Sequence, residues 1–529
     1  MGKLALFLGK QSAIWALCFI TFALVFIYHT YPLGLSDFWW HLNTGRWIWS
    51  EGGLPVDDPF LYSSPSPLDA RASLILRGYP LSQLLTLGIF SIGGLYALVV
   101  LKGVLMTLFY ALLWNHLRRN LLHPVLALAV VGSLPLLFFR FDELRPQVFS
   151  FIGTLLVLQL TEYILACGKQ GRPLKWYVLS SIPAVMLLWA NLHRGFIIGV
   201  GILLVYLFAE WTARKRGNNA MPDDAFRKFL IVVLASAGIA FFNPVGVTAM
   251  WASFTEVSGP FSKVIDEFLG TVRYFEFIGM KQFGYLVVAA AAIPFLALLF
   301  KWRKLSAAHF VLVTSFLLAG ILSFRFSLMM VAVVLSIASF YFAGVLNRVF
   351  LVGKGLPVIL LWCLSTGFLA NSAFNRSSLL AASPLENGVI PYAAVDYLER
   401  SGISGNIYNL FEYGGYLSWR LYPRKIFIDQ RNLSWDVYEE YSKVWRGNYA
   451  EVFSKYQIGA VLYTVYDKAA RRPSRLVAGL FNDKLWGVGY YDGRDIIFIR
   501  TDINSQLPLL NKQMVVDDIF QRLSGIDKK

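Results

Sequence analysis

The sequence predicts a polytopic α-helical membrane protein that ends in a soluble α/β domain. Of its 529 residues, 57% are hydrophobic and 15% charged, whereas soluble chains carry about a quarter charged residues. Runs approaching the roughly twenty apolar residues that cross a hydrocarbon core of about 30 Å recur up to residue 374 and then stop. The bilayer is the solvent for such a chain. Its formal charge of +16 reads as topology, because Lys and Arg gather in short loops between apolar runs, and no nucleic-acid partner is expected. Cys18, Cys167 and Cys363 lie in or beside apolar runs without metal-ligand spacing, so neither zinc nor disulfides are expected.

The apolar runs number about eleven: 12–31, 81–115, 123–139, 147–167, 176–191, 195–213, 227–242, 282–300, 306–323, 325–346 and 355–374. The first follows Lys3 and Lys10 and has no small-residue cleavage site after it, which predicts a retained first helix that also targets the chain. The second is long enough to hold two helices around Gly93-Gly94.

Charge sets the orientation. With the N-terminus inside, every second loop is basic: Arg118/Arg119, Lys169/Arg172/Lys175, Arg214/Lys215/Arg216 with Arg227/Lys228, Lys301/Arg303/Lys304, and Arg348/Lys354. The other loops carry acids, histidines and isolated arginines: DFWWH at 37–41, RFDELRP at 140–146, NLHRG at 191–195, IDEF at 265–268 and SFRF at 323–326. Residues 1–374 are therefore expected to form the membrane domain, with a first outer loop at 32–80 and a late one at 243–280. Polar groups from several loops sharing one face mark a candidate site.

From about Asn375 charge rises and β-rich pieces (425–428, 460–466, 495–500) alternate with helical ones (391–400, 435–456, 470–481). Residues 375–529 read as an extracytoplasmic α/β domain without a phosphate-binding glycine fingerprint.

Within the first loop, a helix from about Asp37 to Ser50 takes Ser36 as N-cap and Gly52/Gly53 as its stop, placing Asp37 and His41 on one face. A carboxylate in the positive first turn serves as general base or metal ligand. Trp39, Trp40, Trp47 and Trp49 read as an interfacial aromatic belt. Asp57-Asp58-Pro59 reads either as a turn or as carboxylates facing the site. In the second acidic loop, Asp142 and Glu143 either bind a ligand or cation or pair with Arg140 and Arg145. His193, Arg194 and Arg325 are placed to grip an anionic group, as guanidinium holds phosphate in a bidentate manner. Gly414-Gly415 in NLFEYGGYLSWRL (409–421), followed by KIFIDQR (425–431), reads as a structural turn.

Taken together, the D-x-W-W-H helix, the P-x-D-D-P turn, the outer acidic loop, the late acid, the late Arg and the α/β tail resemble the GT-C superfamily of membrane glycosyltransferases. The likeness is greatest to the oligosaccharyltransferase catalytic subunit, and to bacterial multi-pass proteins with DFWWHL, NLHRGF, NPVG, EYGGYL and FIDQR segments. The resemblance spans most of the chain in architecture and is specific chiefly at 37–60 and 409–431. It implies a glycosyltransferase that moves a sugar from a polyprenyl-phosphate or -diphosphate donor to a glycan, lipid or protein acceptor at the outer face of a bacterial inner membrane. It implies Asp37, His41 and Glu267 as catalytic residues. Asp142, Glu143, His193, Arg194, Arg325, Glu412 and Tyr413 are implied as substrate-binding, and Asp37, Asp142 and Glu267 as ligands of a divalent cation such as Mg or Mn. Two departures stand out: Asp142 and Glu143 are adjacent rather than separated by one residue, and the acceptor motif WWDYG is reduced to Leu410-Phe411-Glu412-Tyr413-Gly414. The alternative is a transporter, flippase or polysaccharide-export component, which calls for ionisable groups near the bilayer midplane and paired broken helices.

Overall fold

The chain is described here by a computed structural model covering residues 11–35, 37–141, 143–217, 220–248, 251–252, 259–350, 356–381, 383–386, 388–431, 434–467 and 472–526. It is a multi-pass membrane protein with a C-terminal sheet-containing domain. Its residues fall into two compact units, one formed by Met1–Leu33, Gly78–Ser82 and Gly88–Leu385, the other by Gly34–Arg77, Gln83–Leu87 and Glu386–Lys529.

In the first unit each apolar run of the sequence is helical. Among the described residues, seven segments are long and apolar enough to cross a membrane, from Gln11–His29 to Leu356–Arg376, and Pro124–Leu137, Trp176–Leu192 and Ala307–Leu322 are shorter apolar helices. The helix Pro80–Arg119 is broken where the sequence suggested: Gly93 has φ −150° and Gly94 φ +60°, the latter a conformation that L side chains avoid. The first and last membrane helices are joined at one end, where the Thr30 and Ser377 hydroxyls lie 2.7 Å apart and Ser378 N–H donates to Thr30 O.

The second unit is built on a four-stranded sheet with spatial order β1-β2-β4-β3: β1 Asn406–Asn409, β2 Ile458–Thr464, β3 Trp486–Tyr491 and β4 Asp495–Arg500. β1 runs parallel to β2, and the other neighbours are antiparallel. β2 (IGAVLYT) is buried almost throughout, which is why it reads as a continuous apolar run rather than an alternation. β1 and β3 were not foreseen. The predicted helix at 391–400 is found as Tyr392–Arg400; of 470–481, residues 470 and 471 lie outside the described residues, Arg472–Pro473 is a short strand, and the helix runs Arg475–Asn482; and 435–456 resolves into Trp435–Trp445 and Ala450–Lys455.

The piece at 425–428 was expected as a strand and is not one. Ile426 makes only single bridges, to Leu61 and Ile407. Its neighbours are satisfied by a side chain instead: Asn409 Oδ1 accepts from Phe427 N–H at 3.0 Å, and Asn409 Nδ2 donates to Ile428 O at 2.8 Å. An amide that serves both donor and acceptor substitutes for a ladder.

The first-loop segment, assigned from sequence to the membrane domain, belongs by its contacts to the second unit. Its helix is Phe38–Glu51, with Asp37 as N-cap residue and Gly52 as left-handed C-cap, while Ser36 lies outside the described residues. Trp39 and Trp40 are buried rather than belt-forming, and Trp39 packs edge-on against Tyr416 at 4.9 Å. The belt reading suits only Trp49, which is 79% exposed. The aromatic face is consumed in packing because Asn43 and Arg46, one and two turns from the N-terminus, hydrogen-bond the Ser418 and Trp419 carbonyls at 3.0 and 3.2 Å.

Candidate active site

In the membrane unit, three loops separated by up to 180 residues meet around Glu267. Its Oε1 pairs with Arg145, and its Oε2 takes both Nε–H and Nη2–H of Arg325 at 3.1 Å. Arg145 also pairs with Glu143 at 2.6 Å. The Arg325 guanidinium lies over the Phe268 ring, 4.5 Å from its centroid, an arrangement that favours a cation over an aromatic face. Two backbone-directed bonds weld the loops: Ser323 Oγ donates to Glu267 O, and Phe324 N–H to Leu269 O, at 2.9 and 2.8 Å. Beneath them Phe324 stacks flat on Tyr274 with centroids 3.8 Å apart.

Burial pushes the Glu267 carboxyl up, but Arg145 and Arg325 more than offset it and hold it at about 2. A carboxylate so acidic, with each oxygen taken by a guanidinium, is no proton acceptor. Glu267, expected as a catalytic residue and metal ligand, is found fixing two arginines. Glu143 follows the salt-bridge reading of its loop. Asp142 lies outside the described residues.

The NLHRG segment forms a second element of the same unit. His193 ends the helix Trp176–Leu192 and stacks on Tyr79 at 5.7 Å. Its Nδ1 accepts from Gly195 N–H at 3.1 Å and lies 2.6 Å from Ser150 Oγ, which itself accepts from Trp189 Nε1–H at 2.9 Å. An Nδ1 that accepts from Gly195 N–H leaves Nε2 as the ring's donor nitrogen. Arg194 is half-buried beside it. Gln147, three residues before Ser150, donates to Arg325 O at 3.0 Å. The first turn of Gln147–Lys169 thus anchors both Arg325 and His193, because residues three apart share a helix face.

In the second unit, Asp37 is partly exposed at the head of its helix, whereas His41 is 3% exposed with its ring 3.5 Å from that of Trp40. The P-x-D-D-P segment is a structural turn: Asp58 Oδ1 accepts from Phe60 N–H at 2.9 Å, and Asp58 and Asp429 share Arg431 at 3.0 and 2.7 Å, all three side chains being buried. Burial raises the Asp58 carboxyl above its usual range, opposed by Arg431. Gly414 is required by close approach, since a Cβ there would meet Ile428 O and Asp429 Cα.

Tyr413 does not fit its expected binding role. It is 4% exposed and its hydroxyl donates to Asp495 at 2.6 Å, tying the FEYGG turn to β4; burial and that carboxylate hold the phenol well above its usual range. Glu412 is exposed beside it.

Sequence reasoning put the loops of Glu267, Arg325 and the acidic pair on one face, but missed Arg145 as the bridge from Glu143 to Glu267, and Gln147, Ser150 and Tyr79 as supports. The one signal for Arg145 was an isolated arginine between an acidic pair and a helix start. Among the described residues no group of three His, Cys, Asp or Glu is arranged to hold a metal ion.

No family profile and no curated protein matches the sequence. Among solved structures the chain is similar to the archaeal oligosaccharyltransferase AglB from Archaeoglobus fulgidus, in complex with an inhibitory peptide and a dolichol-phosphate. The TM-score is 0.57 at 12% identity, over 90% of this chain and 73% of that one. ArnT from Cupriavidus metallidurans also matches at 12% identity: bound to undecaprenyl phosphate, TM-score 0.49 over 93% and 98% of the two chains, and in the apo state, 0.48 over 95% and 100%. It is the AglB likeness that carries the architecture, and what it shows is a shared fold.

Proposed function

We propose that the chain is a membrane glycosyltransferase that moves a sugar from a polyprenyl-phosphate or -diphosphate donor to an acceptor at the outer face, with inversion. The observation that carries this reading is the pair of guanidiniums fixed on Glu267 in loops that charge assigns to the outer face. The AglB fold supports it, since that structure holds a dolichol-phosphate.

In the reaction, the acceptor's nucleophile gives its proton to the Asp37 carboxylate and attacks the anomeric carbon. The bond from that carbon to the phosphate oxygen breaks, and the lipid phosphate leaves with the electron pair. Negative charge grows on the departing oxygen. Arg325 and Arg145, already oriented by Glu267, stabilise it without reorganising, the condition under which electrostatic catalysis is strongest. His193, as an Nε2–H donor, adds a hydrogen bond to the phosphate. His41 packs the helix that carries Asp37 rather than touching the reactants.

A divalent cation is not required by this scheme. Glu267, one of the three expected ligands, has both oxygens engaged by arginines, and Asp142 lies outside the described residues, so no step is drawn through a metal. The comparisons lend no support to the transporter alternative.

The test is transfer of radiolabelled sugar from a panel of polyprenyl-phosphate sugars by the purified full chain in lipid, with membrane extract as acceptor source. Label transfer that Asp37→Asn and Arg325→Ala each abolish is the expected result. Full activity in both variants overturns the reading.

A further inference from the structure

Glu162 stands fifteen residues beyond Gln147 on the helix Gln147–Lys169, about 22 Å along its axis. Its carboxylate gathers side chains from other membrane helices. Tyr206 O–H donates to Oε1 at 2.9 Å, and the Nε2 nitrogens of His309 and His116 face Oε1 and Oε2 at 3.3 Å each. Behind His309, its Nδ1 and the Tyr341 hydroxyl lie 2.8 Å apart, and that hydroxyl accepts from Ser306 N–H at 3.1 Å. One turn before Glu162, Gln159 accepts from Asn115 Nδ2–H at 3.2 Å and donates to Leu112 O at 3.0 Å, a second tie to the helix of His116. Both histidines are buried. Ionisable groups inside membrane helices are costly and are kept where they pair with one another.

The helices tied here are the ones that carry the candidate site at their other ends. Arg145 precedes Gln147–Lys169, and His193 and Arg194 precede Phe196–Lys215, which carries Tyr206. Arg325 sits between Ala307–Leu322 and Ser327–Phe350, with His309 sixteen residues before it and Tyr341 sixteen after. Tyr79, on which His193 stacks, precedes Pro80–Arg119, the helix of His116. Five helices that meet at the guanidiniums and the imidazole therefore meet again at one carboxylate.

We propose that Glu162 is a positioning residue, whose carboxylate clamps the far ends of these helices and thereby sets the spacing of Arg145, His193 and Arg325. A carboxylate suits the task because its two oxygens accept from several donors at once. A helix released at one end rocks on its neighbours, and a tilt of about 3° across about 22 Å moves an end by about 1 Å. A displacement of about 1 Å between catalytic groups costs about a hundredfold in rate. That the spacing serves sugar transfer rests on the glycosyltransferase reading. The clamp itself does not.

The experiment is hydrogen–deuterium exchange with mass spectrometry on the full chain in lipid nanodiscs, without donor, comparing wild type with Glu162→Ala and Tyr206→Phe. Glu162→Ala is expected to speed exchange about tenfold or more both around Glu162 and at the distant residues 143–147, 192–196 and 322–327. Tyr206→Phe, which keeps the ring and loses one donor, does so about threefold at the same places. Faster exchange around Glu162 with the distant residues unchanged marks a local structural pin and overturns the proposal, as does unchanged exchange throughout. Where Glu162→Ala does not fold, Tyr206→Phe is read by the same criteria. In the transfer assay Glu162→Ala lowers kcat about tenfold or more with donor KM within about threefold, because the arginines are present and only their spacing has changed. A loss confined to KM overturns the positioning role. Exchange needs no sugar, so a chain that transfers nothing leaves the clamp standing, and a failed clamp leaves the transfer reaction standing.

Discussion

Gln147 and Ser150 stand one helical turn apart and hold two different loops: Gln147 donates to Arg325 O at 3.0 Å, and Ser150 contacts His193 Nδ1 at 2.6 Å. The first turn of one membrane helix therefore sets the spacing of a guanidinium and an imidazole that are 132 positions apart in the chain. Ser150→Ala removes the contact that holds the His193 ring and is expected to lower kcat by up to about a hundredfold, the size of effect an ångström of misplacement produces. Steady-state kinetics with a polyprenyl-linked donor checks it, and a matched loss of thermal stability argues for a folding defect instead.

Arg325→Lys keeps the charge but loses the fork that reaches one Glu267 oxygen through two N–H groups. It is expected to retain substrate binding and lose about a hundredfold in turnover. Equal kcat in Arg325→Lys and wild type contradicts the assigned role.

Glu267 supplies a pH dependence with a defined sign. Its folded pKa of about 2 lies below the ordinary 4.5, so the stability it gives is fully present above about pH 4.5 and is lost as pH falls through about 2. Thermal midpoints of wild type and Glu267→Gln should differ by a constant amount from pH 7 down to about 5 and converge towards pH 2. A gap that persists at the lowest pH shows that packing, not charge, is what the substitution removes.

Arg431 pairs with two buried carboxylates at once, so Arg431→Met leaves Asp58 and Asp429 without their shared cation and should cost about 3–5 kcal/mol. Chemical denaturation reads this directly. Combining it with Asp58→Asn and Asp429→Asn is expected to recover part of the loss, and a triple variant no better than the single one refutes the pairing.

Tyr413→Phe removes the hydroxyl bonded to Asp495 and should cost on the order of 1 kcal/mol of stability while leaving acceptor KM unchanged. A large rise in KM restores the binding role read from the motif.

What the sequence made legible followed from periodicity and charge. Run length located the membrane helices, and two adjacent glycines located the break at Gly93-Gly94. Loop vocabulary placed the loops of Glu267 and Arg325 on one face. The misreadings share one cause, partners distant in sequence. Trp39 and Trp40 read as interfacial because nothing local shows Tyr416 waiting for them. The strand at 425–428 failed because a single side chain, Asn409, satisfies its backbone, and Tyr413 changed role because Asp495 lies on a strand 82 positions later.

The second unit is assembled from an early and a late stretch of the chain, and this sets an order of events during synthesis. Roughly 300 residues separate Leu87 from Glu386, and at about 5–20 residues per second they take about 15–60 s to make. Throughout that interval Trp39, Trp40 and the Asp58 carboxylate have been translated but their partners Tyr416 and Arg431 have not. The early segment is thus a guest waiting for its host, and a ribosome that stalls in between leaves behind a membrane-anchored chain with an unsheltered aromatic helix, a natural target for quality control.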